Sequence, residues 1–218
     1  MAHLDVVPID PVSADKWLQP PFGGVISDGF IWGRGTLDDK GAVMALHEAA
    51  ETLLAQGFRP KRTVYFAFGH DEEVGGRDGS AKIAEWLLSR GIRLESVLDE
   101  AIRRVKAIVD DPRVKIVATG TSRSEPSPVS SAVSDSFRKL HRAVQATFQD
   151  AIVAPSLVLG ATDTRHFIAI SDNLFRFLPA RLGREDLKRY HGVNERVSID
   201  NYGEFVRFYM RYLREAAG

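Results

Sequence analysis

Residues 63–73 read TVYFAFGHDEE, and this stretch decides the fold. Thr63 to Phe68 is a nearly continuous β-branched and aromatic run, the signature of a strand buried on both faces. His70-Asp71-Glu72-Glu73 follows it at once. Three consecutive acids directly after a core strand are costly unless something positive neutralises them, and a divalent cation, an Arg or a Lys would do so.

Working outward, the pattern alternates. Gly41 to Gln56 reads as a helix, with Val43, Leu46, Ala50, Leu53 and Leu54 at 3.6-residue spacing and Gly57 as its stop. Upstream, Val25 to Trp32 reads as a hairpin turning at Asp28-Gly29. Pro8 to Gly24 reads as loop, and Leu4 to Val7 as the tail of a strand. Downstream come a helix over Ser80–Arg90, a weaker strand over Leu94–Leu98, a helix over Ala101–Val109 and a strand over Val114–Ala118. Residues 121–134 hold six Ser and two Pro and read as linker. A helix over Ser136–Phe148 and strands over Ala151–Leu159 and Leu174–Leu178 follow. The last helix spans Ile199 to about Leu213, with Tyr202, Phe205, Val206, Tyr209, Tyr212 and Leu213 as its apolar stripe. Strands alternating with helices argue an α/β layered fold with a mostly parallel sheet.

The 218 residues suit one large domain or two small ones. The 29 basic and 29 acidic side chains cancel, which removes the electrostatic case for nucleic acid or an acidic membrane as main partner. With no Cys there is no disulfide framework, thiol nucleophile or Cys-based zinc site, so any metal must be held by His, Asp and Glu. No apolar run approaches the roughly 20 residues that span a bilayer. The first residues are not a signal peptide, and a cytoplasmic location is expected.

Four polar clusters sit just after strand candidates. They are His3-Leu4-Asp5, Asp38-Asp39 within GRGTLDDKG, His70-Asp71-Glu72-Glu73, and Asp99-Glu100. In open α/β sheets the loops at the carboxyl ends of strands converge on the ligand site. Each cluster also has a plainer reading. Asp38-Asp39 suits a helix N-terminus, Asp71-Glu72-Glu73 a solvated turn, and Asp99-Glu100 a helix cap. His47 and His141, inside helical stretches, read as structural or surface residues. Taken together, His and carboxylate groups at neighbouring strand ends suit zinc.

HLDVVP, IWGRGTLDDKG, FAFGHDEEVGG, VLDE, GATDTRHF and HGVNERVS occur in that order. Together they resemble the dizinc amidohydrolase and metallopeptidase family of aminoacylase, carboxypeptidase S and glutamate carboxypeptidase-type enzymes, closest to the carboxypeptidase S and N-acyl-amino-acid hydrolase branch. The resemblance implies a three-layer α/β sandwich, with a mostly parallel mixed sheet flanked by helices. It implies two Zn2+, with Co2+ or Mn2+ as substitutes. His3 would bind one zinc with Asp5 as its orienter, and Asp38 would bridge both. Glu72 would be the general base and Glu73 a ligand of the second zinc. Asp99, with Glu100 as fallback, would complete the first site and His191 the second. Arg165 would anchor a substrate carboxylate; His166 beside it would not be a ligand.

Family members normally carry a long segment before HLD and a second, lid or dimerisation domain after VLDE. The expectation is therefore a single catalytic-type domain over residues 1–218, with 101–120 the remnant of a deleted lid domain. The expected activity is zinc-dependent cleavage of an amide next to a free carboxylate, in an N-acyl amino acid or small peptide. The alternatives are a non-catalytic remnant that folds and binds zinc without turnover, and an interaction module that self-associates through surface the lid would cover.

Overall fold

The computed structural model describes residues 1–99, 127–158 and 162–218. Glu100, the helix expected at 101–109, the strand at 114–118, the lid remnant over 101–120 and the start of the linker lie outside the described residues.

Four short strands run in parallel through the middle. β1 (Ala2–His3) pairs with β4 (Phe68–Gly69), Ala2 opposite Phe68. β5 (Val97–Asp99) pairs with β6 (Leu174–Arg176), Asp99 opposite Arg176. A hydrogen bond from the first residue links the two pairs. Ala2 and Leu4 donate to Ala67 and Gly69 on one edge, while the Met1 amino group reaches the Leu98 carbonyl at 2.5 Å on the other. A separate antiparallel ribbon consists of β2 (Val25–Ser27), β3 (Phe30–Trp32) and β7 (Arg196–Ser198). Its hairpin turns at Asp28 and Gly29, both at positive φ (52° and 77°), as an Asp-Gly turn requires.

Helices cover both faces of the parallel strands. α1 (Lys40–Ala55), α3 (Asp135–Thr147) and α4 (Ile199–Ala217) share one apolar cluster with Ala2, Phe175 and Leu178. α2 (Ser80–Ser89) and Phe167 pack on the opposite side with Val97 and Leu174. Neighbouring residues Leu174 and Phe175 therefore enter different clusters, as side chains on a pleated strand must. The result is three layers. α4 anchors its layer with Phe205 and Phe208, both fully buried, each worth about 1.5–3 kcal/mol of apolar burial. Ser198 and Ser134 cap α4 and α3 by accepting the Asn201 and Phe137 amides. Each cap is worth about 1 kcal/mol.

Two expected strands are corrected. Of 63–68, only Phe68 joins a ladder, and Tyr65 and Phe66 are about two-fifths exposed (42% and 41%). β1 is two residues long and pairs only at Phe68 and Gly69, so no described strand extends the ladder along the earlier stretch, where Val64 alone packs on the core. The segment 151–158 forms no strand, and Ile152 is 96% exposed. A β-rich apolar composition yields a strand only where a neighbouring strand supplies partners. On α1, Leu54 faces solvent while Ala42, Ala45 and Ala49 are buried, so small residues rather than Leu54 complete its inner face. No helix among the described residues is long and apolar enough to cross a membrane.

Candidate metal centre

The site lies where β1 and β4 end and α1 begins. Asp38 is its centre. One carboxylate oxygen lies 2.9 Å from His3 Nε2 and the other 2.6 Å from His191 Nε2. Glu73 Oε1 stands 3.5 Å from the same His191 nitrogen. His3, Asp38 and Glu73 each offer a ligand atom, and these atoms lie within 4.8 Å of one another.

Local structure aims each group. His3 follows Ala2 on β1, and its Nδ1 lies 3.0 Å from the Asp5 carbonyl and 3.3 Å from the Asp5 carboxylate. That fixes the ring and leaves Nε2 facing Asp38, the arrangement metal-binding imidazoles use. The Asp5 carboxylate also accepts the Glu72 and Glu73 amides at 3.1 and 3.0 Å, so it ties β1 to the acidic turn after β4. Asp38 and Asp39, joined by a cis peptide bond, lie at the start of α1. His191 sits at φ 57°, a left-handed conformation costly for a non-glycine residue, with its ring stacked on Tyr190 at 4.4 Å.

The electrostatics follow from burial. Burial raises the Asp38 pKa, but hydrogen bonds with His191 and His3 outweigh it and hold the carboxyl well below the usual carboxylate range. Contact with Asp38, then with Glu73, raises His191 to about 9. Burial, with the charges of Asp163, Asp38 and Glu73 adding and His3 opposing, pushes Glu72 up to about 8. Asp39 and Asp99 are also raised, in both cases chiefly by burial.

The residues present fit divalent metal. Two imidazoles and several carboxylates converge in a buried space, and Glu73 Oε1 is buried there without a hydrogen-bond donor. A buried carboxylate oxygen there calls for a neighbouring cation, which protonated His191 at 3.5 Å supplies in the metal-free protein and a divalent ion would supply in its place. The donor set contains only N and O, which suits zinc and also manganese or cobalt.

Other expected site residues are placed as follows. Asp99 is buried at the end of β5, accepts the Thr164 amide at 3.1 Å and lies outside the three-residue cluster. Arg165 donates to the Gly75 carbonyl at 2.5 Å, so it braces the acidic turn. His166 Nε2 lies 3.1 Å from the same carbonyl. Sequence reasoning gave no site role to three buried acids, of which only Asp39 was noted, as half of the Asp38-Asp39 cluster. Asp39 accepts the His3 amide at 3.2 Å. Asp163 accepts the Ser80 hydroxyl. Glu195 binds the loop before Asp38. Asp39 and Glu195 lie inside the motifs DDKG and HGVNER, so proximity to an expected ligand was the available signal.

The sequence profile of peptidase family M20/M25/M40 matches residues 1–215. The chain belongs to this family. Among curated M20 relatives, "Probable carboxypeptidase S-like 2" from Dictyostelium discoideum is 28% identical over 97% of this chain and 70% of its own length. That alignment runs over 366 positions, so the relative carries long segments without counterpart in these 218 residues. "N-fatty-acyl-amino acid synthase/hydrolase PM20D1" from Homo sapiens is 48% identical over 100 residues, covering 46% of this chain and 19% of that protein. The M20 metallo-carboxypeptidase Sso-CP2 from Sulfolobus solfataricus superposes with a TM-score of 0.70 over 98% of this chain and 83% of its own, at 13% identity. That likeness establishes the shared M20 fold. M20 membership carries metallopeptidase or amidohydrolase chemistry on a peptide or amide, with divalent metal.

Proposed function

We propose that this chain is a dizinc hydrolase cleaving an amide next to a free carboxylate, in an N-acyl amino acid or a small peptide. One observation carries the reading: the Asp38 carboxylate is held between His3 and His191, one oxygen to each. A carboxylate so placed suits a bridge between two cations. His3 would hold one side with Asp99 in support, and Glu73 and His191 the other. Divalent metal held by these residues would supply Lewis-acid activation of the attacking water and of the amide carbonyl.

The chain's own residues supply the rest. Glu72 sits on the turn that Asp5 fastens to β1, next to Glu73. Burial and the neighbouring acids raise Glu72 to about 8 in the metal-free protein, and cations held beside it would lower that value and leave the carboxylate ionised to act as base. It accepts the proton of the attacking water and returns it to the leaving amine. Arg165 lies close to that turn, and its fork matches a substrate carboxylate. Beside Arg165 is a cavity of about 850 Å³, walled by Phe137, Leu140, Val153, Phe175 and Phe177. The name of the human relative supports a substrate with an acyl chain.

The test is zinc content together with hydrolysis of an N-acyl amino acid by the wild-type chain and Glu72→Gln. Two zincs per chain, with turnover reduced about 10²–10⁴-fold in the variant, is the expected result. Two zincs without wild-type turnover would establish the non-catalytic alternative. No zinc would end the metal reading.

A further inference from the structure

Glu195 is completely buried, and the catalytic reading gives it no task. It lies four residues after His191, yet its carboxylate points into the other metal-facing loop. Oε1 accepts the amides of Gly35 and Leu37 at 2.9 Å each and that of Asp38 at 3.3 Å. Oε2 accepts from Arg34 Nη1 at 2.5 Å. The Glu195 carbonyl accepts the Gly33 amide at 2.9 Å. Arg34 closes the circuit, because its Nη2 donates to the His191 carbonyl at 3.3 Å. One carboxylate and one guanidinium thus bind the backbone on both sides of the Asp38–His191 contact.

The 33–38 turn is buried apart from the half-buried Thr36, so its amides need an internal acceptor. A single buried acid gathers three of them. Burial raises its pKa, and the backbone donors and Arg34 pull it back. Desolvating two charges yields little net stability even when they are well paired. What the pair supplies is geometry. Asp38 has no freedom to turn away while its own amide and that of Leu37 are held. His191, in its left-handed conformation, is held through its carbonyl.

We propose that Glu195, acting with Arg34, is the positioning residue of the metal centre: it sets Asp38 and His191 at the spacing from which both face one metal pair. The proposal rests on the reading of Asp38 and His191 as metal-holding residues. It predicts that a Glu195 variant loses zinc affinity beyond what its lost stability explains, measured against a variant of equal melting temperature. Outer partners of this kind are worth about 10- to 100-fold in metal affinity.

The experiment is calorimetric titration of the metal-free chain with Zn2+, alongside its thermal melt. Glu195→Gln keeps the shape but places an amide NH2 where one acceptor oxygen stood. Arg34→Lys keeps a cation for Glu195 but cannot span to the His191 carbonyl. Asn201→Ala is the stability control. Asn201 is buried and hydrogen-bonded to Arg181 and Pro179, away from the metal-facing loops. Expected are zinc affinity about 10- to 100-fold weaker in Glu195→Gln, an intermediate loss in Arg34→Lys, and none in Asn201→Ala at a comparable fall in melting temperature. If Glu195→Gln does not fold, Arg34→Lys decides alone. Unchanged affinity in the folded Glu195 and Arg34 variants, or an equal loss in Asn201→Ala, overturns the positioning role and leaves the metal reading standing. A wild-type chain that binds no zinc overturns both.

Discussion

Gly76→Ala tests how tightly the acidic turn is wedged against the 163–167 segment. Gly76 has φ 65°, and a Cβ there would stand 2.1 Å from Asp163 Oδ1 and 3.0 Å from His166 Nε2. The left-handed conformation alone costs a non-glycine residue about 1–2 kcal/mol. The contact adds more, because Asp163 would have to retreat by roughly an ångström. It is 2% exposed, and its other oxygen is engaged by Ser80. Overpacking of this kind costs about 1–3 kcal/mol, for a total of about 2–5 kcal/mol. In a chain of this size each kcal/mol lowers the melting temperature by about 2–4 °C. Gly91→Ala isolates the backbone part: its φ is 67°, and nothing lies within 4 Å of the added Cβ. That variant should lose only about 1–2 kcal/mol. Thermal and urea unfolding of both variants measure the difference. The same turn carries Glu72, so Gly76→Ala should also slow hydrolysis about 100-fold, the usual effect of a 1 Å misplacement, while Gly91→Ala keeps the wild-type rate. Equal destabilisation of the two variants would show that Asp163 is not wedged against Gly76 and would refute the reasoning.

The remaining predictions concern protons, the brace and the core. In the metal-free protein His191 is raised from 6.5 to about 9 and Glu72 from 4.5 to about 8. Both shifts favour the protonated form in the folded state, so their stabilisation is present at low pH and is lost as pH rises through about 8 and 9. The metal-free melting temperature should therefore fall between pH 6 and 9; a flat or rising profile contradicts the two assignments. Zinc needs neutral His191, so its binding should release a proton below pH 9, measured by calorimetry in buffers of different ionisation enthalpy. Proton uptake would reverse the sign of the argument. Arg165→Ala removes the brace on the Gly75 carbonyl and the substrate's expected anchor, so KM should rise with zinc content intact. An unchanged KM would remove Arg165 from substrate binding. Phe208→Ala should cost about 3–5 kcal/mol by denaturant unfolding, because the ring is fully buried among Phe177, Tyr209 and Tyr212.

Local chemistry made much of this protein legible. The Asp28-Gly29 hairpin formed as written because the turn needs only its own two residues at positive φ. The expected stripe of α4 supplied its buried face at Phe205, Tyr209, Tyr212 and Leu213, with Tyr202 and Val206 half-buried. The family resemblance singled out His3, Asp38, Glu73 and His191, and the structure brings these four within reach of one another. Composition misled where partners decide. TVYFAF and the 151–158 segment have strand-like residues, but described neighbours pair only with Phe68 and Gly69.

The sequence by itself determined the alternation of elements, the metal chemistry its His and acids allow, and the order in which they meet the sheet. These depend on residues close together along the chain: periodicity, caps, turns and acids after strands. Only the tertiary structure decided which side chains share a space. Asp38 meets His191 across 153 positions, and Arg34 meets Glu195 across 161. No local pattern encodes such a meeting. It depends on helices packing on both faces of a narrow parallel sheet, and on buried donors finding acceptors within hydrogen-bond reach.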